Sequence, residues 1–212
     1  MNIVLDYDGT IHDSIQIYAP AFRKCVKRIA EDGFMEERID SEDEIKKWIG
    51  MDAKTMWHTF MPQIPQELQE QYSVFIGNEM IRQIEEGKAV LYNGAEKVLE
   101  QLIDRRHRLL FLSSCKRSYM EAHIRFFGLD RFFERFYCTE DFGFVPKYEI
   151  FRGIRNHYSG EFVIVGDRKS DMEIAEKNHL VSIGCKYGYG EIEELKSADH
   201  LIGSVEEIIK YI

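Results

Sequence analysis

The first fourteen residues constrain the fold more than any other stretch of the chain. Three consecutive apolar residues, Ile3-Val4-Leu5, run directly into Asp6 and Asp8. This pattern predicts a short strand that is buried on both faces and delivers carboxylates to its carboxyl end. Ligands of open α/β sheets bind at that edge. Gly9 allows the backbone to turn sharply there and to bring a second carboxylate or carbonyl back towards the first.

The acidic pair also predicts a bound cation. Two like charges are hard to hold together in a partly buried site unless a positive charge neutralises them. Mg²⁺ suits the position because it takes a few oxygen ligands and keeps some waters for a substrate. The alternative, from these residues alone, is that Asp6-Tyr7-Asp8-Gly9-Thr10 is only a turn after a strand.

Composition and charge limit the classes of partner. A chain of 212 residues that is 44% hydrophobic and 31% charged is typical of a globular protein with room for one large domain or a core plus an insert. The net charge of -9 argues against a nucleic-acid partner, whereas a local lysine and a cation suffice to bind a small phosphorylated metabolite. The sequence shows no signal peptide and no apolar run long enough to cross a bilayer, so no membrane partner is expected. Four well-separated cysteines favour a reduced, cytoplasmic setting.

Two kinds of periodicity divide the chain. Helical patterns fill residues 15–87, with Ser14 as the predicted cap of the first helix and Ser41-x-x-Glu44 as a capping box for the second. A third helix is predicted over residues 51–60 and a fourth from the apolar stripe between Leu68 and Ile84, and the four helices form a small bundle. From residue 88 onward helices alternate with short apolar strands, which predicts a parallel sheet covered on both faces. The predicted fold is therefore α/β, a Rossmann-like parallel sheet built from residues 1–14 and 88–212 with an inserted helical domain over 15–87.

Hydroxyl and amino groups follow two further predicted elements. Ser113 and Ser114 come directly after an apolar strand and precede a helix, where a hydroxyl can donate to a phosphate oxygen. A simple helix cap is the alternative there. Lys147 lies at the start of another predicted helix, where the macrodipole disfavours a cation. This placement favours pairing with a phosphate and with Asp6, against the alternative of a solvated surface lysine.

A second pair of acids follows the apolar strand over residues 162–165. Asp167 lies at the strand end and Asp171 about one helical turn later, so both carboxylates are expected to face the same point. Asp167 would bond a cation directly and Asp171 through water or as a supporting group. The alternative is a helix N-cap with a charged first turn.

Two other features are expected to carry no chemistry. His12 lies beside the acidic cluster and could touch a substrate, but a surface position on the flap, the short segment that follows the acidic motif, is expected for it. The segment Gly188-Tyr189-Gly190 is too short for a dinucleotide-binding loop and follows the wrong strand.

These motifs, in this order and with a helical insert directly after the first, resemble the haloacid dehalogenase (HAD) superfamily over essentially the whole chain. The insertion point is similar to that of the helical-cap subgroup, and residues 183–195 are similar to phosphoglycolate-phosphatase-like members. The resemblance implies a Mg²⁺-dependent phosphatase acting on a small phosphomonoester, such as phosphoglycolate, a nucleotide or a sugar phosphate. Two details depart from the family pattern: Ser114 stands where Asn is usual, and proline precedes Lys147 instead of following it.

The resemblance also assigns roles. Asp6 would be the nucleophile that forms an aspartyl-phosphate, and Asp8 would protonate the leaving oxygen and then activate water. The implied catalytic residues are Asp6, Asp8, Ser113 and Lys147. The implied substrate-binding residues are Thr10 and Ser114. The implied metal ligands are Asp6, Asp8, Asp167 and Asp171.

Other functions use similar residues. A phosphomutase similar to β-phosphoglucomutase would return the phosphoryl group to a sugar. A phospho-receiver domain also places acids at the end of its first strand, but it lacks the helical insert and the second acid two residues after the first. A non-catalytic phosphate-binding protein is the remaining alternative. The sequence identifies neither the substrate nor the oligomeric state.

Overall fold

The computed structural model describes residues 1–51 and 53–212, which divide into two compact units. One unit comprises residues 1–13 and 90–212, and the other comprises residues 14–89. Among the described residues, no helix has both the length and the apolar character that crossing a bilayer requires.

Helices make up the unit of residues 14–89. They are α1 (Ile15–Glu31), α2 (Glu42–Lys46), α3 (Ala53–Phe60) and α4 (Gln66–Glu85). The predicted capping box of α2 is confirmed, because the Glu44 amide donates to Ser41 Oγ and the Ser41 amide donates to the Glu44 carboxylate. The predicted cap at Ser14 is wrong: Ser14 has helical backbone angles, and its hydroxyl makes no capping hydrogen bond. The expected third helix includes residue 52, which lies outside the described residues.

A six-stranded parallel sheet forms the centre of the other unit, with strand order β3-β2-β1-β4-β5-β6. The strands are β1 (Asn2–Leu5), β2 (Arg108–Ser113), β3 (Phe133–Cys138), β4 (Phe162–Gly166), β5 (Val181–Cys185) and β6 (His200–Ile202). The helices of this unit are α5 (Ala95–Asp104), α6 (Arg117–Phe127), α7 (Lys147–Ile154) and α8 (Lys169–Asn178). The predicted α/β fold class is confirmed. The three-residue strand β6 was not predicted, since so short a segment carries too little alternation to be recognised.

Strand β1 is buried on both faces because its alternate side chains enter two different apolar clusters. Ile3 and Leu5 pack in the cluster that contains Phe111, and Val4 packs in the one that contains Ile164. The strand pairs with β2 on one side and with β4 on the other. Parallel pairing brings the carboxyl ends of these three central strands to the same edge of the sheet.

Candidate active site

Asp6 and Asp167 follow neighbouring strands at this edge. Asp6 comes directly after β1, and its amide donates to the Val165 carbonyl on β4 at 2.9 Å. Asp167 comes directly after β4. Both side chains are buried, which is unusual for charged groups. The parallel register of β1 and β4 therefore sets the proximity of the two acids.

Lys147 lies between two of the aspartates. It is the first residue of α7, and its Nζ is 2.7 Å from Asp6 Oδ1 and 2.7 Å from Asp171 Oδ1. The residue is 3% exposed, which excludes the alternative of a solvated surface lysine. Burial by itself lowers the pKa of Lys147, but the carboxylates of Asp171 and Asp6 outweigh that effect and raise the pKa above its usual range. The ammonium group therefore stays charged at neutral pH.

The two carboxylates that contact Lys147 cluster with a third, that of Asp167. One carboxylate oxygen from each of Asp6, Asp167 and Asp171 lies within 4.8 Å of the other two. Burial and repulsion from Asp171 raise the pKa of Asp6 from the ordinary 3.8 to about 7. Lys147 opposes this rise but does not cancel it. Burial and repulsion from Asp6 and Asp171 also hold the pKa of Asp167 well above its usual range. If all three carboxylates are ionised, they carry more negative charge than Lys147 neutralises, so protons or a further cation must supply the rest.

The residues present fit a divalent cation. Asp167 Oδ1 is buried and has no hydrogen-bond partner among the described residues, so its lone pairs are not used by any of them. An all-oxygen donor set is the kind that Mg²⁺ prefers over softer metals. Asp6, Asp167 and Asp171 would hold such an ion. The Asp8 carboxylate is not among the three that cluster, so its role as a ligand stays a prediction.

The segment Gly188-Tyr189-Gly190 contacts Asp167, although no role was expected for it. The Tyr189 amide donates to Asp167 Oδ2 at 2.7 Å, and a Cβ atom on either glycine would collide with Asp167. The contact was missed because it is made by a backbone amide 22 residues away along the chain. Two glycines around one residue are a signal of close backbone approach that could have indicated it.

Gly9, in the first acidic motif, also lies close to Asp167 and has to be a glycine. Its φ of +84° lies in the left-handed region, and a Cβ atom there would collide with the Asp167 carboxylate. Glycine therefore permits both the turn after Asp8 and the approach of Asp167 to the amino-terminal segment.

Asp8 points into a different set of contacts. Its Oδ1 accepts hydrogen bonds from His12 Nδ1 at 2.9 Å and from Tyr119 Oη at 2.8 Å, and its side chain is 17% exposed. The expected surface position of His12 is wrong, because the residue is completely buried. Its ring stacks on Tyr7, and this packing between aromatic rings could not be inferred from its place in a polar motif.

The hydroxyl residues lie in three different environments. Ser113 is the last residue of β2, the strand beside β1, and is buried at the same edge of the sheet. Ser114, the next residue, is exposed. Thr10 is buried; its carbonyl accepts from Tyr187 Oη at 2.8 Å, and its hydroxyl has no partner among the described residues.

A family model described as haloacid dehalogenase-like hydrolase matches residues 3–185. The chain belongs to this family. The match includes all the acidic residues of the site, Lys147 and the two serines.

This HAD-like hydrolase is also similar to individual proteins in sequence or in fold. A 5'-nucleotidase from Pseudomonas aeruginosa is 29% identical over 111 residues, which cover 50% of this chain and 50% of the relative. The match thus spans about half the length of that curated relative. A predicted phosphoglycolate phosphatase from Haemophilus somnus has a TM-score of 0.83 at 18% identity, over 99% of this chain and 96% of the other. CbbY from Rhodobacter sphaeroides in complex with phosphate has a TM-score of 0.76 at 19% identity, over 98% and 95% of the two chains.

Proposed function

We propose that this HAD-like hydrolase is a Mg²⁺-dependent phosphatase that hydrolyses a small phosphomonoester by way of an aspartyl-phosphate on Asp6. The observation that carries the proposal is the buried contact of Lys147 with both Asp6 and Asp171, beside Asp167. A carboxylate at a strand end that is fixed by a buried ammonium group is suited to in-line attack on phosphorus, since its position and charge are set before the substrate arrives.

The slowness of the uncatalysed reaction explains why several groups are needed. Phosphate monoesters are among the slowest esters to hydrolyse, so an enzyme supplies on the order of 20 kcal/mol of transition-state stabilisation. Attack by Asp6 would split the reaction into two easier displacements. Asp8 would give a proton to the departing ester oxygen, and in the second step it would take a proton from the water that attacks the acyl-phosphate.

Charge and hydrogen bonds would hold the phosphoryl group in place. The Lys147 ammonium would neutralise part of the charge on the phosphoryl oxygens, and Ser113, Thr10 and Ser114 would donate hydrogen bonds to them. A cation held by Asp6, Asp167 and Asp171 would, when bound, keep these carboxylates ionised and offset the charge on the phosphoryl oxygens. The buried Oδ1 of Asp167, which has no partner in the part of the chain that the structure describes, supports this part of the proposal.

The substrate class comes from chemistry and from the relatives together. Phosphoglycolate, a nucleoside monophosphate and a sugar phosphate are the candidates. The relatives named 5'-nucleotidase and phosphoglycolate phosphatase support the first two. The unit of residues 14–89 would act as the cap that selects among them. A screen of phosphorylated metabolites with and without Mg²⁺ identifies the substrate, and product analysis with a hexose phosphate distinguishes hydrolysis from the phosphomutase alternative.

We also propose a cytoplasmic location. The four cysteines are free thiols, which is typical of proteins in a reducing compartment.

The test is hydrolysis of p-nitrophenyl phosphate in Mg²⁺. We expect Asp6→Asn to abolish turnover, because an amide is not a competent nucleophile here. The matched control Asp130→Asn, at an exposed aspartate, should keep the wild-type rate. EDTA should inactivate the wild-type enzyme, and added Mg²⁺ should restore it. Full activity of the Asp6→Asn variant would rule Asp6 out as the nucleophile, and full activity in EDTA would remove the metal from the proposal.

A further inference from the structure

The carboxylate of Asp8 is held at one oxygen by two donors from different elements. His12 Nδ1, from the turn after β1, is 2.9 Å from Asp8 Oδ1, and Tyr119 Oη, from the first turn of α6, is 2.8 Å from the same oxygen. These two donors fix the orientation of the carboxylate plane. They leave Asp8 Oδ2 as the oxygen that is available to carry a proton.

The His12 ring is itself immobilised. It is fully buried, its ring stacks on Tyr7 with 5.1 Å between centroids and 9° between planes, and His123 packs edge-on at 4.4 Å. Tyr7 Oη is 2.8 Å from His123 Nδ1, which ties those two neighbours together. A ring packed on its face and on its edge keeps its nitrogen aimed at Asp8. An exposed histidine would impose no such restraint.

The hydrogen-bond pattern also selects a tautomer of His12. His12 Nε2 is buried without a partner among the described residues, so a proton there would leave an unsatisfied N–H in the interior. The proton therefore resides on Nδ1 and points at Asp8 Oδ1. The Tyr119 hydroxyl supplies the second donor to the same atom.

We propose that His12 and Tyr119 are positioning residues that hold Asp8 so that its Oδ2 delivers the proton to the leaving group. This inference rests on the proposed phosphatase function. As the bond from phosphorus to the ester oxygen breaks, the proton moves from Asp8 Oδ2 to that oxygen, and Asp8 is left ionised. Hydrogen bonds to an ionised acceptor are stronger than those to a neutral one, so both donors stabilise the transition state more than the ground state.

The experiment compares two aryl esters of similar shape in Mg²⁺. Phenolate is a basic leaving group, with a conjugate acid of pKa about 10 as in tyrosine, and its departure needs the proton. The nitro group makes p-nitrophenolate a much better leaving group that departs with little help. The readout is the ratio of kcat/KM for p-nitrophenyl phosphate to that for phenyl phosphate. This ratio reports the first displacement and is unaffected by a uniform loss of active enzyme.

We expect Tyr119→Phe and His12→Phe each to raise this ratio about tenfold or more. A general acid accelerates a reaction by roughly 100-fold to 10,000-fold, and loss of one positioning contact should remove part of that acceleration. Asp8→Asn should raise the ratio further. His12→Asn should return the ratio towards the wild-type value, because its amide nitrogen can take the place of Nδ1. The matched control Tyr158→Phe removes a tyrosine hydroxyl that contacts Tyr137 and not Asp8, so it should leave the ratio at the wild-type value.

An unchanged ratio in Tyr119→Phe and His12→Phe, with both proteins folded by near-ultraviolet circular dichroism, would overturn the inference. If His12→Phe does not fold, Tyr119→Phe decides alone, since it removes one hydroxyl and keeps the ring. Failure of the wild-type enzyme to hydrolyse either ester would instead overturn the proposed function, and this inference with it.

Discussion

The raised pKa of Asp6 makes the stability of the cation-free protein depend on pH. In the unfolded chain this carboxyl has its ordinary pKa of 3.8, and in the native protein burial and Asp171 raise the pKa to about 7. The native state therefore binds this proton more tightly than the unfolded state does. The resulting stabilisation is fully present below about pH 4 and is lost as the pH rises through about 7.

The size of the loss follows from the two pKa values. One pKa unit corresponds to about 1.4 kcal/mol, so Asp6 alone removes about 2.5 kcal/mol from the free energy of unfolding between about pH 5 and pH 8. The raised pKa of Asp167 acts in the same direction. The replacement Asp6→Asn removes the group that titrates. The free energy of unfolding of this variant should therefore fall less than that of the wild type over the same pH range.

Urea unfolding in EDTA measures the effect. Wild-type protein should lose about 2.5 kcal/mol more than Asp6→Asn between about pH 5 and pH 8, with equal m-values. Saturating Mg²⁺ should flatten the wild-type profile, because a bound cation favours the ionised carboxylates. Parallel pH profiles for the two proteins in EDTA would refute the reasoning, since they would mean that Asp6 ionises normally in the native state.

Two further substitutions test the packing of the site. Lys147→Met leaves Asp6 and Asp171 buried without their cation, so the free energy of unfolding in EDTA should fall by about 3–5 kcal/mol in urea titrations. The exposed control Lys97→Met should change it by less than about 0.5 kcal/mol, and a loss no larger at Lys147 would contradict the ion contact. Gly190→Ala places a methyl group against the Asp167 carbonyl and should cost about 1–3 kcal/mol in thermal unfolding. Gly77→Ala, in open space within α4, should be neutral or stabilising by up to about 1 kcal/mol, and equal effects at the two glycines would count against the collision.

Much of the fold could be predicted because its signals are local. The apolar run of β1, the alternation of strands and helices after residue 88 and the capping box at Ser41 each depend on residues close together in sequence. Strand β6 escaped prediction because three residues are too few to show a period. The cap predicted at Ser14 was wrong because its backbone adopts helical angles, which a composition rule for caps does not detect.

Features of the candidate site likewise fall into those that the sequence indicates and those that it does not. The acids at the ends of β1 and β4 could be expected to lie at one edge, since parallel strands end together. The contacts that depend on tertiary packing could not be expected. His12 is buried between Tyr7, five residues before it, and His123, which is distant in sequence. Tyr189 reaches Asp167 through its backbone amide, which leaves no mark in side-chain chemistry. Sequence therefore indicates which groups can react more readily than which groups hold them.

Direct detection of phosphate on Asp6 is the sharpest test of the whole account. The enzyme is mixed in Mg²⁺ with a phosphomonoester that it hydrolyses, and the reaction is quenched in acid. Borohydride reduction then marks the acyl-phosphate, and the protein is digested with trypsin and analysed by mass spectrometry. The account predicts modification at position 6 of the amino-terminal peptide, residues 1–23, and none in Asp6→Asn. Turnover with the mark on another residue, or with no mark at any time after mixing, would contradict it.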